Sequence, residues 1–139
     1  MTTPPPSRVV TCILESGGKI LILRRSEKVG TYQGRWAGVA GFIESDPDTQ
    51  AFTEIREETG LQPPDIVLVR RSAAIEVEDK DTGKKWIIHP YRFHVNRPDK
   101  IKLDWEHTDM KWIDRREIDA FMTVPGLKNV IASVYDLGK

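Results

Sequence analysis

Three glutamates within one short segment give this sequence its strongest chemical signal. Glu54, Glu57 and Glu58 lie three or four positions apart, and residues at those spacings are neighbours on a helix. Like charges so close together destabilise a helix slightly unless something offsets them. A hard divalent cation would do so, because Mg²⁺ takes oxygen ligands and keeps waters that a phosphate can replace. Taken alone, the spacing favours a solvated acidic helix face, with a magnesium site as the alternative that the neighbouring residues must support.

Basic residues lie near this segment. Arg24 and Arg25 end a predicted strand, and Lys28 and Arg35 follow in the next loop. Cations beside a metal–carboxylate site are what a polyanionic substrate needs. The backbone carbonyl of Ala40, at a strand end rich in small residues, is a further candidate ligand. Together these residues favour a metal-dependent site for a phosphorylated substrate over a solvated helix.

The elements before the glutamates are predicted to be strands and loops. Residues 8–15 and 19–24 are rich in Val, Ile and Leu and flank a Ser-Gly-Gly turn, which indicates a β-hairpin. A polar loop, 26–35, follows. Residues 36–43 form an irregular extended stretch whose glycines suggest close approach of the backbone to another group.

The helix that carries the glutamates has clear end signals. Asp46 is a good N-cap and Pro47 suits the first helical position. Gly60 is a typical stop, so the helix is predicted over 48–59. Its inward stripe is predicted to be Ala51, Phe52, Ile55 and Thr59.

The rest of the chain is predicted to alternate strands with helices. The predicted elements are strands 66–74, 85–95 and 110–113, a charged loop 78–84, a helix 115–122 capped by Asp114, and a last helix 127–137. Strands, a helix, strands and helices in that order imply an α/β fold, with a mixed sheet and helices packed on its faces.

Length and charge narrow the class of protein further. The 139 residues suffice for one domain, predicted over 8–139 after a flexible tail, 1–7. Lys and Arg number 21, as do Asp and Glu, so the formal charge is zero and a general nucleic-acid binder is not expected. The single cysteine, Cys12, suits a reducing compartment. With no signal peptide or bilayer-spanning segment in the sequence, a cytoplasmic location and no membrane partner are expected.

Residues 41–61 resemble the Nudix box, G-x5-E-x7-R-E-U-x-E-E-x-G-U, in which U is apolar. The matching residues are Gly41, Glu54, Ile55, Glu57, Glu58, Gly60 and Leu61. Flanking segments are also similar to that family, including the strand that ends at Arg25 and the Glu106-His107 pair before Trp112. The resemblance extends over about residues 8–121.

Two departures from the Nudix pattern affect its supporting groups. The box is two residues short between Gly41 and Glu54, so its first glutamate is missing or displaced, and Glu44 or Asp46 would have to substitute. Thr53 occupies the position of the box arginine, which usually orients a box glutamate by a salt bridge.

The resemblance implies an α/β/α sandwich and a pyrophosphohydrolase that uses Mg²⁺ or Mn²⁺. Glu54, Glu57 and Glu58, with the Ala40 carbonyl, would hold the metal. Glu106 would be a further ligand or the general base, and the choice of base between Glu54 and Glu106 stays open. The expected reaction is water attack on phosphorus in a nucleoside di- or triphosphate derivative. The alternative is a nucleotide-sensing regulatory module with weakened catalysis.

Substrate-binding and partner expectations complete the sequence-based prediction. Arg24, Arg25, Arg35 and Trp36 are candidate substrate-binding residues, with core packing as the other expectation for Trp36. Trp86 is expected in the core or at a dimer contact, with base stacking as the alternative. Because members of the Nudix family often pair as homodimers, a homodimer is also an expectation.

Overall fold

Strand β1, Ser7–Ser16, is the centre of the fold in the computed structural model, which describes residues 5–135. It forms the predicted antiparallel hairpin with β2, Lys19–Arg25. The turn between them uses Gly17 and Gly18 at φ values of 59° and 79°, which glycine adopts without steric cost. β1 also pairs in parallel with β7, Lys84–Val95, and in antiparallel with β4, Val39–Phe42.

The two faces of β1 enter two separate cores, because successive side chains of a strand point in opposite directions. Val10, Cys12 and Leu14 pack beneath helix α1, Pro47–Thr59. Val9 and Ile13 belong to the other core, which includes four buried residues of helix α2: Leu127, Val130, Ile131 and Val134. The predicted α/β class and the layered arrangement of helix, mixed sheet and helix are confirmed.

The remaining strands extend the sheet on both sides. β3, Trp36–Ala37, and β8, His107–Ile113, pair with β2, while β5, Ile66–Arg71, and β6, Ile75–Asp79, pair with β7. All four pairings are antiparallel.

The sequence analysis missed β6 and was wrong to begin a charged loop at residue 78. Ile75 and Val77 pack against the α2 core, while Glu76 and Glu78 are exposed. This alternation of apolar and charged residues is typical of a half-buried strand. β6 turns back into β7 through Gly83, whose φ is 76°.

Helix α1 has the predicted capping groups. The Asp46 carboxylate accepts a hydrogen bond from the Thr49 N–H at 2.9 Å, and Gly60 ends the helix at φ 79°. The predicted inward stripe is wrong at Phe52, whose side chain is 36% exposed. Gln50 and Glu58 are buried instead, because the face in contact with the sheet also includes these two polar positions.

The C-terminal helices differ from their predicted lengths. Asp114 caps a 3₁₀ helix, Arg115–Ala120, in place of the predicted helix 115–122. α2, Leu127–Tyr135, ends where the description of the structure ends, so the last predicted helical positions, 136 and 137, lie outside the described residues. Within residues 5–135, neither α-helix has the length and hydrophobicity required to cross a lipid bilayer.

Candidate active site

A cavity of about 1000 Å³ lies against the face of the sheet opposite α1. Its floor consists of alternate residues of β1, β4 and β7, namely Ser7, Val9, Thr11, Ala40, Phe42, Trp86 and Ile88. These side chains share one face because Thr11 pairs with Ala40, and Val9 with Phe42. The cavity is also lined by Arg25, Glu54, Glu57 and Glu106. The carboxylates of α1 and of the loop before β8 therefore meet at one cavity.

Gly41 provides the space that the Glu54 carboxylate occupies. A Cβ atom at residue 41 would overlap that carboxylate. Gln50, one turn earlier on α1, donates from Nε2 to Glu54 Oε2 at 2.6 Å, and its Oε1 accepts from the Glu44 N–H at 3.1 Å. Gln50 thus fixes Glu54 although Thr53 replaces the box arginine. The four-residue spacing of Gln50 and Glu54 is the sequence signal that could have revealed this pair.

Glu58 is the most deeply buried carboxylate of the site, with only 2% of its surface exposed. Within residues 5–135, its Oε2 atom has no hydrogen-bond partner, while Oε1 lies 3.6 Å from His107 Nε2. Burial raises the pKa of Glu58 well above its ordinary value, and the nearby Glu54 and Glu106 carboxyls raise it further. Without a cation, the ionised form of this carboxyl group is uncompensated in the protein interior, and burial favours its protonated form.

His107 is a partner of Glu58 that the sequence analysis left without a definite role. Its Nδ1 atom lies 3.0 Å from Asp104 Oδ1, so Nδ1–H can donate a hydrogen bond to the Asp104 carboxylate, with Nε2 facing Glu58. Burial lowers the pKa of His107 despite the opposing effect of Asp104. One ligand atom from each of Glu58, Glu106 and His107 fits within a mutual distance of 4.8 Å.

Glu106 and Arg25 line the cavity together with the α1 carboxylates. Burial raises the pKa of the half-buried Glu106, with further contributions from Asp104 and Glu54, while the Arg25 guanidinium acts in the opposite direction. Arg25 is held by the loop before β3, because its Nε donates to the Thr31 carbonyl at 3.0 Å. The site therefore keeps one positive group beside its carboxylates.

The residues present fit a divalent cation. Several carboxylates converge, and the buried Oε2 of Glu58 lacks a partner, a situation that ordinarily costs free energy. Oxygen-rich sites of this kind suit Mg²⁺ or Mn²⁺. The cation would supply the positive charge that offsets the negative charge of these carboxylates.

Several predicted site residues therefore lie together and others do not. Ala40, Glu54, Glu57 and Glu106 line the cavity with Arg25, and Glu58 lies beside them in the interior. Arg24 does not line it, and the pairing of β2 with β8 shifts register between Arg24 and Arg25. Its side chain is exposed, and its Nε donates to the Gly34 carbonyl at 3.1 Å.

Arg35 and Trp36 also lie outside the cavity lining. Arg35 donates from Nη1 to the Thr123 carbonyl at 3.4 Å. Trp36 is only 9% exposed and packs edge-on against Phe121, with the ring centres 5.5 Å apart. Its environment is the α2 core, so core packing is the correct one of the two expectations for this residue.

The fold and the glutamate-bearing helix define a Nudix-type α/β/α sandwich, and comparison with known proteins agrees. The family model of the NUDIX domain matches residues 4–134, so the chain belongs to the NUDIX family. Nudix hydrolases generally use divalent metals, which agrees with the acidic character of this site. No curated protein sequence matches the chain.

Solved structures share the fold along nearly the whole chain. The MutT protein from Methanosarcina mazei Go1 has a TM-score of 0.76 and 25% identity, covering 94% of this chain and 93% of its own. A NUDIX hydrolase from Nitrosomonas europaea has a TM-score of 0.76 and 22% identity, with coverages of 97% and 91%. The NUDIX domain of Shewanella oneidensis NrtR, complexed with ADP ribose, has a TM-score of 0.71 and 16% identity, with coverages of 94% and 87%.

Proposed function

We propose that this chain is a Mg²⁺-dependent hydrolase that cleaves a phosphoanhydride bond in a nucleoside di- or triphosphate derivative. The observation that carries the proposal is the Glu58 carboxyl group, buried among other carboxyls with one oxygen unpaired. A purely structural acidic helix would expose these groups to water. The ADP ribose bound to the NrtR domain, a nucleoside diphosphate derivative, supports the substrate class.

The metal-holding residues in this proposal are Glu54, Glu57 and Glu58, with the Ala40 carbonyl as a further ligand. When bound, Mg²⁺ or Mn²⁺ would neutralise charge on the phosphate oxygens and acidify the attacking water. Gln50 keeps the Glu54 carboxylate oriented through its 2.6 Å hydrogen bond. Glu54 is therefore better suited to a fixed ligand role than to proton transfer.

Glu106 is our choice for the general base. It lines the cavity, and no side chain within residues 5–135 hydrogen-bonds to its carboxylate. Its raised pKa brings it nearer to the operating pH, which favours a base. In the reaction, the water oxygen bonds to phosphorus, the P–O anhydride bond breaks, and the water proton passes to Glu106. Arg25 offers a positive charge to the phosphate oxygens.

A nucleotide-sensing module with weak catalysis is the second candidate function. Two observations favour it: the segment between Gly41 and Glu54 is shorter than the family pattern, and Thr53 replaces the box arginine. The Gln50–Glu54 hydrogen bond argues against the sensing function, because it still orients the Glu54 carboxylate in the absence of the box arginine. Cytoplasmic location and homodimer formation stay predictions from the sequence.

The deciding experiment is a panel of nucleotides assayed with Mg²⁺ and with EDTA, following inorganic phosphate after phosphatase treatment. We expect Mg²⁺-dependent release from at least one nucleotide, and a loss of about 100-fold or more in kcat for Glu106→Gln and for Glu58→Gln. Glu76→Gln is the matched control, because Glu76 is exposed on β6 and does not line the cavity.

Two results would contradict the proposal. The assignment of the metal site to these glutamates is wrong if a protein carrying both Glu57→Gln and Glu58→Gln hydrolyses the nucleotide at the wild-type rate. If nucleotides bind but none is hydrolysed with Mg²⁺ or Mn²⁺, the sensing function replaces the enzymatic one.

A further inference from the structure

Arg25 reaches the cavity with one edge of its guanidinium already occupied. Its Nε donates to the Thr31 carbonyl at 3.0 Å, and its Nη2 donates to the Thr31 hydroxyl at 3.3 Å. The guanidinium is a planar, rigid fork of N–H donors, so the edge between Nη1 and Nη2 stays free. That edge suits two oxygens of one phosphate. Thr31 therefore determines which edge of Arg25 is available to a phosphate.

The loop that carries Thr31 makes few hydrogen bonds to other elements. This loop, residues 26–35, joins β2 to β3. Within residues 5–135, the hydrogen bonds of its tip, residues 28–33, stay inside the loop apart from those with Arg25 and one from Tyr32. The position of Thr31 thus depends on how its neighbour Tyr32 is held.

Tyr32 is held by a distant residue and at a conformational cost. Its hydroxyl donates to Asp79 Oδ2 at 2.7 Å, across 47 positions of the chain. Its φ is 51°, and among the described residues it alone has a positive φ without being glycine. A backbone of this kind persists only where its surroundings hold it, and it is common where a functional group is pre-organised. The Tyr32–Asp79 hydrogen bond is the contact that does so here.

Asp79 is a firm anchor for this hydrogen bond. It ends β6 and pairs with Lys84 of β7, which in turn pairs with β1 at the centre of the sheet. Its carboxylate also accepts from the Thr82 hydroxyl at 3.0 Å and from the Asp81 N–H at 3.1 Å. Hydrogen bonds, first of all that from Tyr32, lower the pKa of Asp79. The carboxylate is therefore ionised at neutral pH, and its bond with Tyr32 is charge-assisted.

We propose that Asp79 and Tyr32 are positioning residues that act through Thr31 to hold the Arg25 guanidinium where it meets the phosphates of the substrate. The inference rests on the proposed function, which gives Arg25 that role. It extends the site to Asp79, which does not line the cavity. Without the hydrogen bond, the loop tip gains freedom and Arg25 must be ordered when the substrate binds, which lowers affinity.

The first test follows Arg25 itself, with no nucleotide present. The ¹H–¹⁵N NOE of the Arg25 Nε–H, identified as the signal that disappears in Arg25→Lys, reports fast motion of the side chain. We expect a high NOE in wild type, as for an ordered backbone amide, and a clearly lower one in Tyr32→Phe. An unchanged NOE in Tyr32→Phe would overturn the proposal.

The second test measures kcat/KM for the nucleotide that the panel identifies. Tyr32→Phe removes only a hydroxyl and should lower kcat/KM by about 3- to 10-fold, the value of one hydrogen bond. Asp79→Asn keeps an acceptor oxygen and should retain more activity than Asp79→Ala. Tyr32→Phe added to Arg25→Ala should change kcat/KM by less than about twofold, because both substitutions act on one guanidinium. If Tyr32→Phe causes the same loss with and without Arg25, the proposal is wrong.

Tyr91→Phe separates positioning from a merely structural effect. It removes another tyrosine–aspartate hydrogen bond, from Tyr91 to Asp48, in the core beneath α1 and outside the cavity lining. Tm should fall in both Tyr32→Phe and Tyr91→Phe, since each loses one hydrogen bond. Only Tyr32→Phe should change kcat/KM and the NOE of Arg25. Equal losses of kcat/KM in the two variants would show that Tyr32 contributes to stability alone.

The two proposals fail in different ways. If Mg²⁺-dependent hydrolysis is found but the NOE of Arg25 does not depend on Tyr32, the positioning role is wrong and the proposed function stands. If no nucleotide is hydrolysed, the enzymatic function is wrong, and binding of α,β-methylene-ADP with Mg²⁺ replaces the kinetic test. The positioning role then stands if Tyr32→Phe raises the Kd of this analogue in the wild-type background but not in Arg25→Ala, and it is refuted otherwise.

Discussion

The substitution Gly41→Ala tests the link between backbone space and catalysis most directly. The φ of Gly41 is not positive, so the backbone accepts alanine without strain. The added methyl carbon, however, would lie 2.5 Å from Glu54 Oε2. Because favourable contacts between heavy atoms begin near 3.5 Å, and Cδ and Oε1 of Glu54 would lie closer still, the carboxylate has to move by at least about 1 Å. That movement also disturbs its hydrogen bond from Gln50.

The expected effects on activity and stability have different sizes. A misplacement of about 1 Å in a catalytic group costs about 100-fold in rate, which equals about 2.7 kcal/mol in activation free energy. The free energy of unfolding should change little, because the group that must move, the Glu54 carboxylate, is the end of a flexible side chain. Alanine in place of a strand glycine also stabilises by about 0.5–1 kcal/mol. We therefore expect low kcat with an unchanged or slightly higher Tm.

The assay is kcat at saturating nucleotide and Mg²⁺, together with Tm from calorimetry. Glu76→Gln is again the control, because Glu76 is exposed on β6 and does not line the cavity. The double variant with Glu54→Gln should be little worse than Glu54→Gln alone, since both changes act on one carboxylate. Full activity in Gly41→Ala would refute the reasoning, as would a 100-fold loss that persists in the Glu54→Gln background.

Three further outcomes follow from the structure. Arg25→Ala should lower kcat/KM by about 10- to 100-fold, the value of a charge-assisted hydrogen bond, whereas Arg24→Ala should change it less than twofold in the same steady-state assay. Glu58→Gln should abolish the Mg²⁺-induced rise in Tm. In EDTA, its free energy of unfolding relative to wild type should increase as pH rises, because only the ionised Glu58 is a buried uncompensated charge; urea titrations in both buffers decide this. Burial raises the pKa of Glu15, but hydrogen bonds from Arg92 and Tyr135 outweigh it and lower the pKa below 4.5. Ionised Glu15 therefore stabilises the fold above pH 4.5, and this stabilisation is lost as pH falls through its lowered pKa. The difference in free energy of unfolding between wild type and Glu15→Gln should shrink from pH 6 to pH 3. A difference that stays constant would contradict this role of Glu15.

Local signals account for the elements that the sequence predicted well. The N-cap Asp46, the stop at Gly60 and the spacing of Glu54 and Glu58 all act within one helix, so neighbouring residues determine them. β6 was missed because only Ile75 and Val77 provide its apolar face, amid charged residues. Its stability comes from pairing with β7, which no local pattern reveals.

Tertiary packing decides the positions that the sequence could not assign within the candidate site. Arg24 and Arg25 have the same chemistry, and the register shift between them in the pairing of β2 with β8, which no local pattern reveals, separates their positions. Trp36 has an aromatic side chain suited to a pocket, but α2 and the preceding 3₁₀ helix bury it. His107 approaches Glu58 only because β8 pairs with β2.

The parallel pairing of β1 with β7 has a consequence for folding during synthesis. Glu15 and Arg92, which bond across these two strands, are 77 positions apart in the chain. At about 5–20 residues per second, a ribosome needs roughly 4–15 s to make the intervening segment. Throughout that interval, β1 lacks its parallel partner, and only β2, β4 and α1 among its neighbours have been made. Completion of the sheet must therefore wait for the second half of translation, and this delay is the period in which the nascent chain is most prone to aggregate.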